Sequence, residues 1–151
     1  MVLMRHINDT EIGFFTNLES RKARDIFACG RTSSTLWWPQ LGRQVRVEGS
    51  AAEMDREMVD SYFANRPRNS KIAAWSSKQS RELESMDKLH QVFDGFCHKF
   101  SGETVPTPPF WGGFIITVDK IEYWLSREFR LHDRVILCKA GDNWTHRRIY
   151  P

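Results

Sequence analysis

Alternating apolar and polar residues toward both ends of the chain predict β-strands. Val45 and Val47 alternate with Gln44, Arg46 and Glu48, which is typical of an antiparallel strand with one buried face. Turn-forming residues separate the segments, as in the hairpin sequence 141–143. The predicted strands are 2–6, 12–16, 35–38, 44–48, 114–118, 121–124, 135–139 and 144–150.

The middle of the chain has helical spacing instead. A short helix is predicted from the N-cap Ser20 to Gly30, and a second helix ends at Pro67. Apolar residues keep helical spacing from Leu83 to Phe100, which predicts a longer third helix. We therefore predict a mainly β fold of the α+β class, an antiparallel β-barrel with helical insertions, in a single domain over residues 1–151.

Composition narrows the class of protein. The chain has 151 residues, of which 40% are hydrophobic and 27% charged, as in a globular domain. It contains no long apolar run, so no membrane partner is expected. The net charge of +3 suits anionic ligands and predicts no nucleic-acid partner. The three widely spaced cysteines suggest reduced thiols and a cytoplasmic location, and the six tryptophans suggest an oligomer interface.

The sequence lacks the common hydrolase, metalloprotease and nucleotide-binding motifs. His90 and His98 lie eight positions apart on a predicted helix, and we interpret them as solvated residues rather than metal ligands. No metal is therefore expected.

Several groups of residues could bind an anion. Arg21 and Lys22 open the first helix, where free N–H groups favour negative charge, although a solvated basic patch remains the alternative. Gln79 and Ser80, like Ser70, are further polar donors at predicted helix starts.

Tyr62, Arg66 and Ser70 are spaced by four, so a continuous helix would place them on one face. Such a trio suits a phosphate monoester, whereas the alternative is a surface arginine with unrelated neighbours. In an extended segment Arg130, His132 and Arg134 would face one side, either toward an anion or toward solvent. Trp124 could stack on a planar ligand or fill the core.

Taken together, these segments resemble the pyridoxamine/pyridoxine 5′-phosphate oxidase family over the whole chain. The specific signatures are R-P-R-N-S at 66–70, P-F-W-G-G at 109–113 and R-L-H-D-R at 130–134. The other matching stretches are 14–17, 20–22, 43–49, 62–63, 72–75, 78–80 and 121–124.

The resemblance implies an FMN-binding split β-barrel that works as a homodimer, with FMN sites at the subunit interface. It implies a dimerisation and C-terminal region at about 105–151. The implied activity is oxidation of pyridoxamine or pyridoxine 5′-phosphate to pyridoxal 5′-phosphate, with O2 as acceptor and H2O2 as product. A relative that binds FMN or pyridoxal phosphate without turnover is the alternative.

The resemblance also implies site residues. Arg130 and His132 are the expected catalytic residues over the substrate ring. Substrate is expected to contact Arg5, Tyr62, Arg66, Ser70, Arg130, Leu131 and His132. FMN is expected to contact Met1, Val2, Leu3, Met4, Arg5, Phe15, Thr16, Arg21, Lys22, Gln44, Gln79, Ser80, Trp124 and Arg134.

Some features depart from the family pattern. Arg5 stands where the family usually has lysine, and Phe15 stands where relatives often have tyrosine. The resemblance further implies that the family's N-terminal segment is missing here, including an arginine that contacts the FMN phosphate. On that basis we expect reduced FMN affinity and weak activity for the chain as it stands.

Overall fold

The computed structural model describes residues Met1–Pro151, and its centre is a seven-stranded antiparallel sheet. The strand order is β1-β2-β5-β4-β3, with β6 paired to β5 and β7 paired to β6. The strands are β1 (Met4–Ile7), β2 (Glu11–Asn17), β3 (Arg31–Trp38), β4 (Arg43–Glu53), β5 (Trp111–Leu125), β6 (Asp133–Ala140) and β7 (Asn143–Ile149). The helices are α1 (Arg21–Cys29), α2 (Arg56–Ala64), α3 (Arg68–Ser76) and α4 (Met86–Lys99). The predicted mainly β fold with helical insertions is confirmed.

Strand β5 is the central strand of the sheet. The sequence predicted two separate strands at 114–118 and 121–124, but the structure has one continuous strand there. Asp119 and Lys120 interrupt the apolar pattern, but Asp119 forms an ion pair with Arg31 on β3, and Lys120 forms one with Glu48 on the adjacent strand β4. The strand therefore continues through them, with an irregular register opposite Glu48 and Gly49. A Cβ at Gly49 would lie 2.1 Å from the Thr117 carbonyl oxygen, so only glycine allows this close approach.

Helix boundaries follow the local capping residues. The Ser20 hydroxyl accepts from the Ala23 N–H, and Gly30 ends α1 with a left-handed φ of 67°, both as predicted. The second helix was predicted to end at Pro67, but α2 ends at Ala64. Pro67 is instead the N-cap residue of α3. The third predicted helix begins only at Met86, because Ser85 is its N-cap. Gln79 and Ser80 lie in a turn, so the predicted helix start there is wrong.

Two apolar clusters stabilise the fold and fix the position of the loops. The first cluster packs α1 against the sheet, and its buried residues include Ile26, Phe14 and Phe114. The second packs the other helices against the Trp111 end of β5, with Phe63 and Ile72 almost fully buried. Burial of such side chains stabilises by about 1.5–3 kcal/mol each. The second cluster therefore anchors the segments that carry Arg66 and Ser70 next to β2.

Candidate functional site

Lys22 lies at the start of α1 with its ammonium group surrounded by neutral oxygens. Its Nζ donates to Thr16 Oγ1 at 2.8 Å, to Ser20 Oγ at 3.1 Å and to Gln79 Oε1. No carboxylate lies within ion-pair distance of Lys22. Burial lowers the pKa of Lys22 below its ordinary value. A partly buried cation without a counter-charge is a suitable position for an anionic ligand.

The turn after α3 completes this group. Thr16 Oγ1 lies 3.2 Å from Gln79 Oε1, and the Arg21 backbone N–H donates to Ser80 Oγ at 3.2 Å. Ser80 has a φ of 71°, a conformation that non-glycine residues seldom adopt. The buried Asn17 holds the turn, since its Nδ2 donates to the Ser77 carbonyl at 3.3 Å. The structure therefore brings together Thr16, Lys22, Gln79 and Ser80, four of the residues that the family resemblance implies for FMN.

The Arg21 side chain is an exception. It is 83% exposed, and its Nε lies 3.8 Å from the Asp25 carboxylate. Only the backbone N–H of Arg21 faces the group around Lys22. The helix N-terminus thus contributes main-chain donors and one partly buried ammonium group rather than two cationic side chains.

Arg66 is the second partly buried cation without a carboxylate partner. Its guanidinium carbon lies 4.8 Å from the centroid of the Trp111 ring, and its Nη2 donates to the Ser70 carbonyl at 3.2 Å. Burial is the main cause that lowers the pKa of Arg66, Tyr62 opposes the shift, and the nearby charge of Arg5 adds to it. Like the ammonium group of Lys22, this guanidinium is available to an anion.

Stacked aromatic rings line the site next to Arg66. The Phe15 ring stacks on Tyr62 at 3.9 Å and lies parallel to Trp111 at 5.3 Å. Trp111 supports Arg66 from below but was not predicted as a site residue. Its position inside the P-F-W-G-G signature was the available signal. These rings are fixed by packing, so they hold the Arg66 guanidinium in one orientation.

Lys22 and Arg66 open into the same pocket, which has a volume of about 260 Å³. A neighbouring pocket of about 540 Å³ shares Arg66 and adds Arg5 and Tyr62. Met1 and Val2 line both pockets, and Leu3 lines the second. No continuous helix carries Tyr62, Arg66 and Ser70, because α2 ends before Arg66 and α3 begins after Pro67. The three residues nevertheless converge on one pocket through the loop between α2 and α3.

The remaining predicted residues form a second group at the other end of β5. Gln44 on β4 and Arg134 on β6 are both cross-strand partners of Trp124. The Trp124 and His132 ring centroids are 4.6 Å apart. Arg134 donates to the buried Glu122 at 2.8 Å and 2.6 Å, which fixes its guanidinium. Arg130 and Leu131 lie exposed in the preceding loop.

The two groups are carried by opposite ends of β5. Thr16 pairs with Gly112 at one end of β5, whereas Gln44 pairs with Trp124 near the other end. The N-terminal segment reaches both groups, since Val2 lines the pocket that contains Lys22 and Arg66 and also a pocket that contains Trp37 and Trp38.

Large apolar side chains are exposed around the second group. Phe129 is 87% exposed and Leu131 is 67% exposed, next to the predicted catalytic residues. Trp37, Trp38, Leu41 and Tyr123 are also exposed. Exposed apolar side chains of this kind are typical of a protein interface. We call these six residues the aromatic patch.

The structure contains no cluster of three or more potential metal ligands. None of its helices is long and apolar enough to cross a membrane.

Two family models match most of the chain. A family model described as "Pyridoxamine 5'-phosphate oxidase" matches residues 1–94. A second, described as "Pyridoxine 5'-phosphate oxidase C-terminal dimerisation region", matches residues 111–151. Proteins named pyridoxine/pyridoxamine 5'-phosphate oxidase from Rubrobacter xylanophilus and Rhodospirillum rubrum are 41% and 42% identical to this chain. The alignments cover 99% and 100% of the chain, and 69% and 78% of those proteins.

Solved structures show the same architecture. PhzG from Burkholderia lata 383, in complex with tetrahydrophenazine-1-carboxylic acid, has a TM-score of 0.88 at 25% identity. The alignment covers 99% of this chain and 73% of PhzG. A pyridoxamine 5'-phosphate oxidase-related, FMN binding protein from Nostoc punctiforme has a TM-score of 0.74 at 12% identity, with 99% and 78% coverage.

The fold is thus that of the FMN-binding split barrels, as the sequence predicted. Within that fold, the matched family models and the relatives at about 41% identity define the group more narrowly. The chain belongs to the pyridoxamine 5'-phosphate oxidase family.

Proposed function

We propose that this protein is an FMN-dependent oxidase that converts pyridoxamine or pyridoxine 5′-phosphate to pyridoxal 5′-phosphate. The observation that carries the proposal is the presence of Lys22 and Arg66, two partly buried cations without carboxylate partners, in one pocket. The cofactor and the substrate each carry one phosphate group. The pocket therefore offers one cationic position for each of them.

The residues around Lys22 fit the phosphate of FMN. An ammonium group, the Gln79 and Ser80 side chains and the N-terminus of α1 supply charge and hydrogen-bond donors. Phe15 and Thr16 would line the same cofactor, and Met1, Val2, Leu3 and Arg5 line the two pockets in which it would lie. Met4 faces a separate pocket beside Trp37 and Trp38. Phe15 has no hydroxyl, so any contact there is through its ring or its backbone. Gln44, Trp124 and Arg134 would come from a second copy of the chain.

The residues around Arg66 fit the phosphate of the substrate. Arg66 and Tyr62 face the pocket shared with Arg5 and Ser70. Arg5 keeps the positive charge of the lysine usual in the family but has a planar head group with different geometry. Its charge lies close enough to Arg66 to affect the pKa of Arg66. Two adjacent cations repel each other in the free protein, and a dianionic phosphate would relieve that repulsion.

When bound, FMN supplies a hydride acceptor that O2 can reoxidise, with H2O2 as product. The chain's own residues bind and orient the substrate. Arg130 and His132 would lie over the substrate ring, with Leu131 between them. The arginine side chains favour negative charge that develops on the bound ring systems. Oxidation of pyridoxine phosphate consumes one O2, and oxidation of pyridoxamine phosphate consumes one O2 and one water and also releases ammonia.

The test is an assay of the purified, FMN-saturated protein with each phosphate ester. We expect pyridoxal 5′-phosphate and H2O2 in equal amounts. Flavin binding without turnover would favour the alternative of a non-enzymatic relative. Turnover of a polycyclic carboxylic acid but of neither phosphate ester would favour a PhzG-like substrate, since the PhzG structure contains a carboxylic acid of that class.

The bound flavin is expected to be FMN rather than FAD. The group around Lys22 contains a single ammonium group, and the sequence has no glycine-rich fingerprint for a pyrophosphate. Heat release followed by chromatography identifies the flavin. FAD as the main species would contradict this expectation.

The protein is expected to be a homodimer at micromolar concentration, with its dimerisation region at about 105–151. The aromatic patch and the match of residues 111–151 to a C-terminal dimerisation region both support this state. Trp38→Glu places a charge on the patch and should shift sedimentation toward monomer. Leu83→Glu, at an exposed position outside the patch, is the matched control. A monomeric wild-type protein with FMN present would refute the dimer.

A further inference from the structure

The loop between β5 and β6 has an unusual backbone at the position of the proposed catalytic residues. Phe129 and Arg130 are consecutive non-glycine residues with left-handed φ angles of 56° and 61°. Such angles are costly for L-residues and persist only where surrounding contacts hold them. The next residues are Leu131, which is exposed, and His132. Some contact must therefore fix this loop.

Arg127 and Asp133 close the two ends of this loop. The Arg127 Nε and Nη2 atoms each lie 2.9 Å from Asp133 Oδ2. The other carboxylate oxygen, Oδ1, lies 2.9 Å from Arg148 Nη1 on β7. Asp133 thus ties the loop both to its own start and to a neighbouring strand. The pKa of Asp133 is lowered, mainly by its hydrogen bond from Arg127, so the carboxylate stays charged.

Arg127 also acts on His132 through its backbone. The Arg127 N–H donates to His132 Nδ1 at 3.2 Å. Because Nδ1 accepts a hydrogen bond there, the neutral ring carries its proton on Nε2. The Trp124 ring packs against the imidazole at 4.6 Å and limits its rotation. The loop closure and the tautomer of His132 therefore depend on the same residue.

We propose that the ion pair between Arg127 and Asp133 is a positioning device: it holds the loop that carries Arg130 and keeps His132 with its Nε2–H directed away from the loop. This inference rests on the proposed function for its kinetic consequences. Arg127 and Asp133 are positioning residues, since neither belongs to the group expected to contact substrate or FMN. Their loss changes the placement of the substrate-facing side chains and leaves both phosphate positions intact.

The chain contains a closely matched control pair. Arg31 and Asp119 form an ion pair with distances of 2.8 Å and 3.0 Å, and Asp119 also has a lowered pKa. The side chains of Asp119 and Asp133 are both 39% exposed. Asp119→Asn therefore removes a surface ion pair of similar exposure outside the loop, whereas Asp133→Asn removes contacts to Arg127 and Arg148. Any general loss of stability should be similar in both variants.

The kinetic experiment compares Asp133→Asn with Asp119→Asn in the FMN-saturated protein. We expect Asp133→Asn to lower kcat about tenfold, because misplaced groups lose rate while remote binding contacts persist. KM for the phosphate ester and Kd for FMN should stay within about twofold. Asp119→Asn should leave all three constants unchanged. An unchanged kcat in Asp133→Asn, or an equal fall in Asp119→Asn, would overturn the proposal.

A second readout does not depend on activity. Nitrogen chemical shifts of the five histidines in 15N-labelled protein report their tautomers, and His132→Gln assigns the relevant signal. We expect His132 to be the Nε2–H tautomer in the wild type and a mixture in Asp133→Asn. If Asp133→Asn fails to fold, Arg127→Gln removes the same pair and is read in the same way. An unchanged His132 signal in the folded variant refutes the positioning role, even if the wild type proves inactive on both esters.

Discussion

Lys22→Met is expected to weaken FMN binding by about one to two decades in Kd. The substitution keeps the length of the side chain but removes the ammonium group that Thr16, Ser20 and Gln79 surround. A charge-assisted hydrogen bond contributes about 1.5–3 kcal/mol, which corresponds to this range of affinity. The measurement is a titration of the flavin-free protein with FMN, in which quenching of flavin fluorescence reports binding.

The same variant has an expected effect on stability that a general folding defect would not produce. Burial lowers the pKa of Lys22, so the folded state binds fewer protons than the unfolded state between that lowered pKa and 10.5. The flavin-free wild type should therefore gain stability as pH rises through this window. Lys22→Met should lack this increase in stability with pH. At pH values below the window, it should be at least as stable as the wild type. Lys88→Met, at an exposed position on α4, is the control for both measurements. Normal FMN affinity in Lys22→Met would disprove the assigned phosphate position.

Arg66→Ala is expected to raise KM for the phosphate ester much more than it changes FMN affinity. The guanidinium sits over Trp111 without a carboxylate partner, and its charge is available to a phosphate. Loss of such a contact costs about 1.5–3 kcal/mol, or roughly tenfold to 150-fold in affinity. Steady-state kinetics at saturating FMN measure this effect.

Two variants sharpen the test of Arg66. Arg66→Lys keeps the charge but loses the planar fork, so its KM should lie between wild type and Arg66→Ala. Arg24→Ala removes an exposed arginine from α1 and should change neither constant. If Arg66→Ala lowers FMN affinity while KM stays constant, the two phosphate positions have been assigned in the wrong order.

Local sequence signals predicted most of the fold. Ser20 and Gly30 marked the ends of α1 because caps depend on a few neighbouring atoms. The continuity of β5 was not predictable in this way. Asp119 and Lys120 look like a break until their partners Arg31 and Glu48 on other strands of the sheet are known. Tertiary ion pairs of this kind leave no periodic pattern in the sequence.

At the candidate site, too, the sequence predicted which residues take part better than it predicted their tertiary contacts. Spacing suggested that Arg66 and Ser70 share a face, but they meet through a loop, and Ser70 contributes its backbone carbonyl. Sequence reasoning placed Arg21 beside Lys22, yet its side chain points to Asp25. Trp111, which supports Arg66, was missed because a buried tryptophan is usually only part of the core. The Arg127–Asp133 pair was missed because two ordinary surface charges give no signal until the strained loop between them is seen.

An anaerobic single-turnover experiment tests the central proposal most directly. The FMN-loaded protein is mixed with a slight excess of pyridoxine 5′-phosphate without O2, and the visible flavin absorbance and the pyridoxal 5′-phosphate formed are both measured. We expect the absorbance to bleach with one pyridoxal 5′-phosphate formed per flavin, and to return when O2 is admitted. Bound flavin whose absorbance stays unchanged with both phosphate esters would contradict the proposed oxidase.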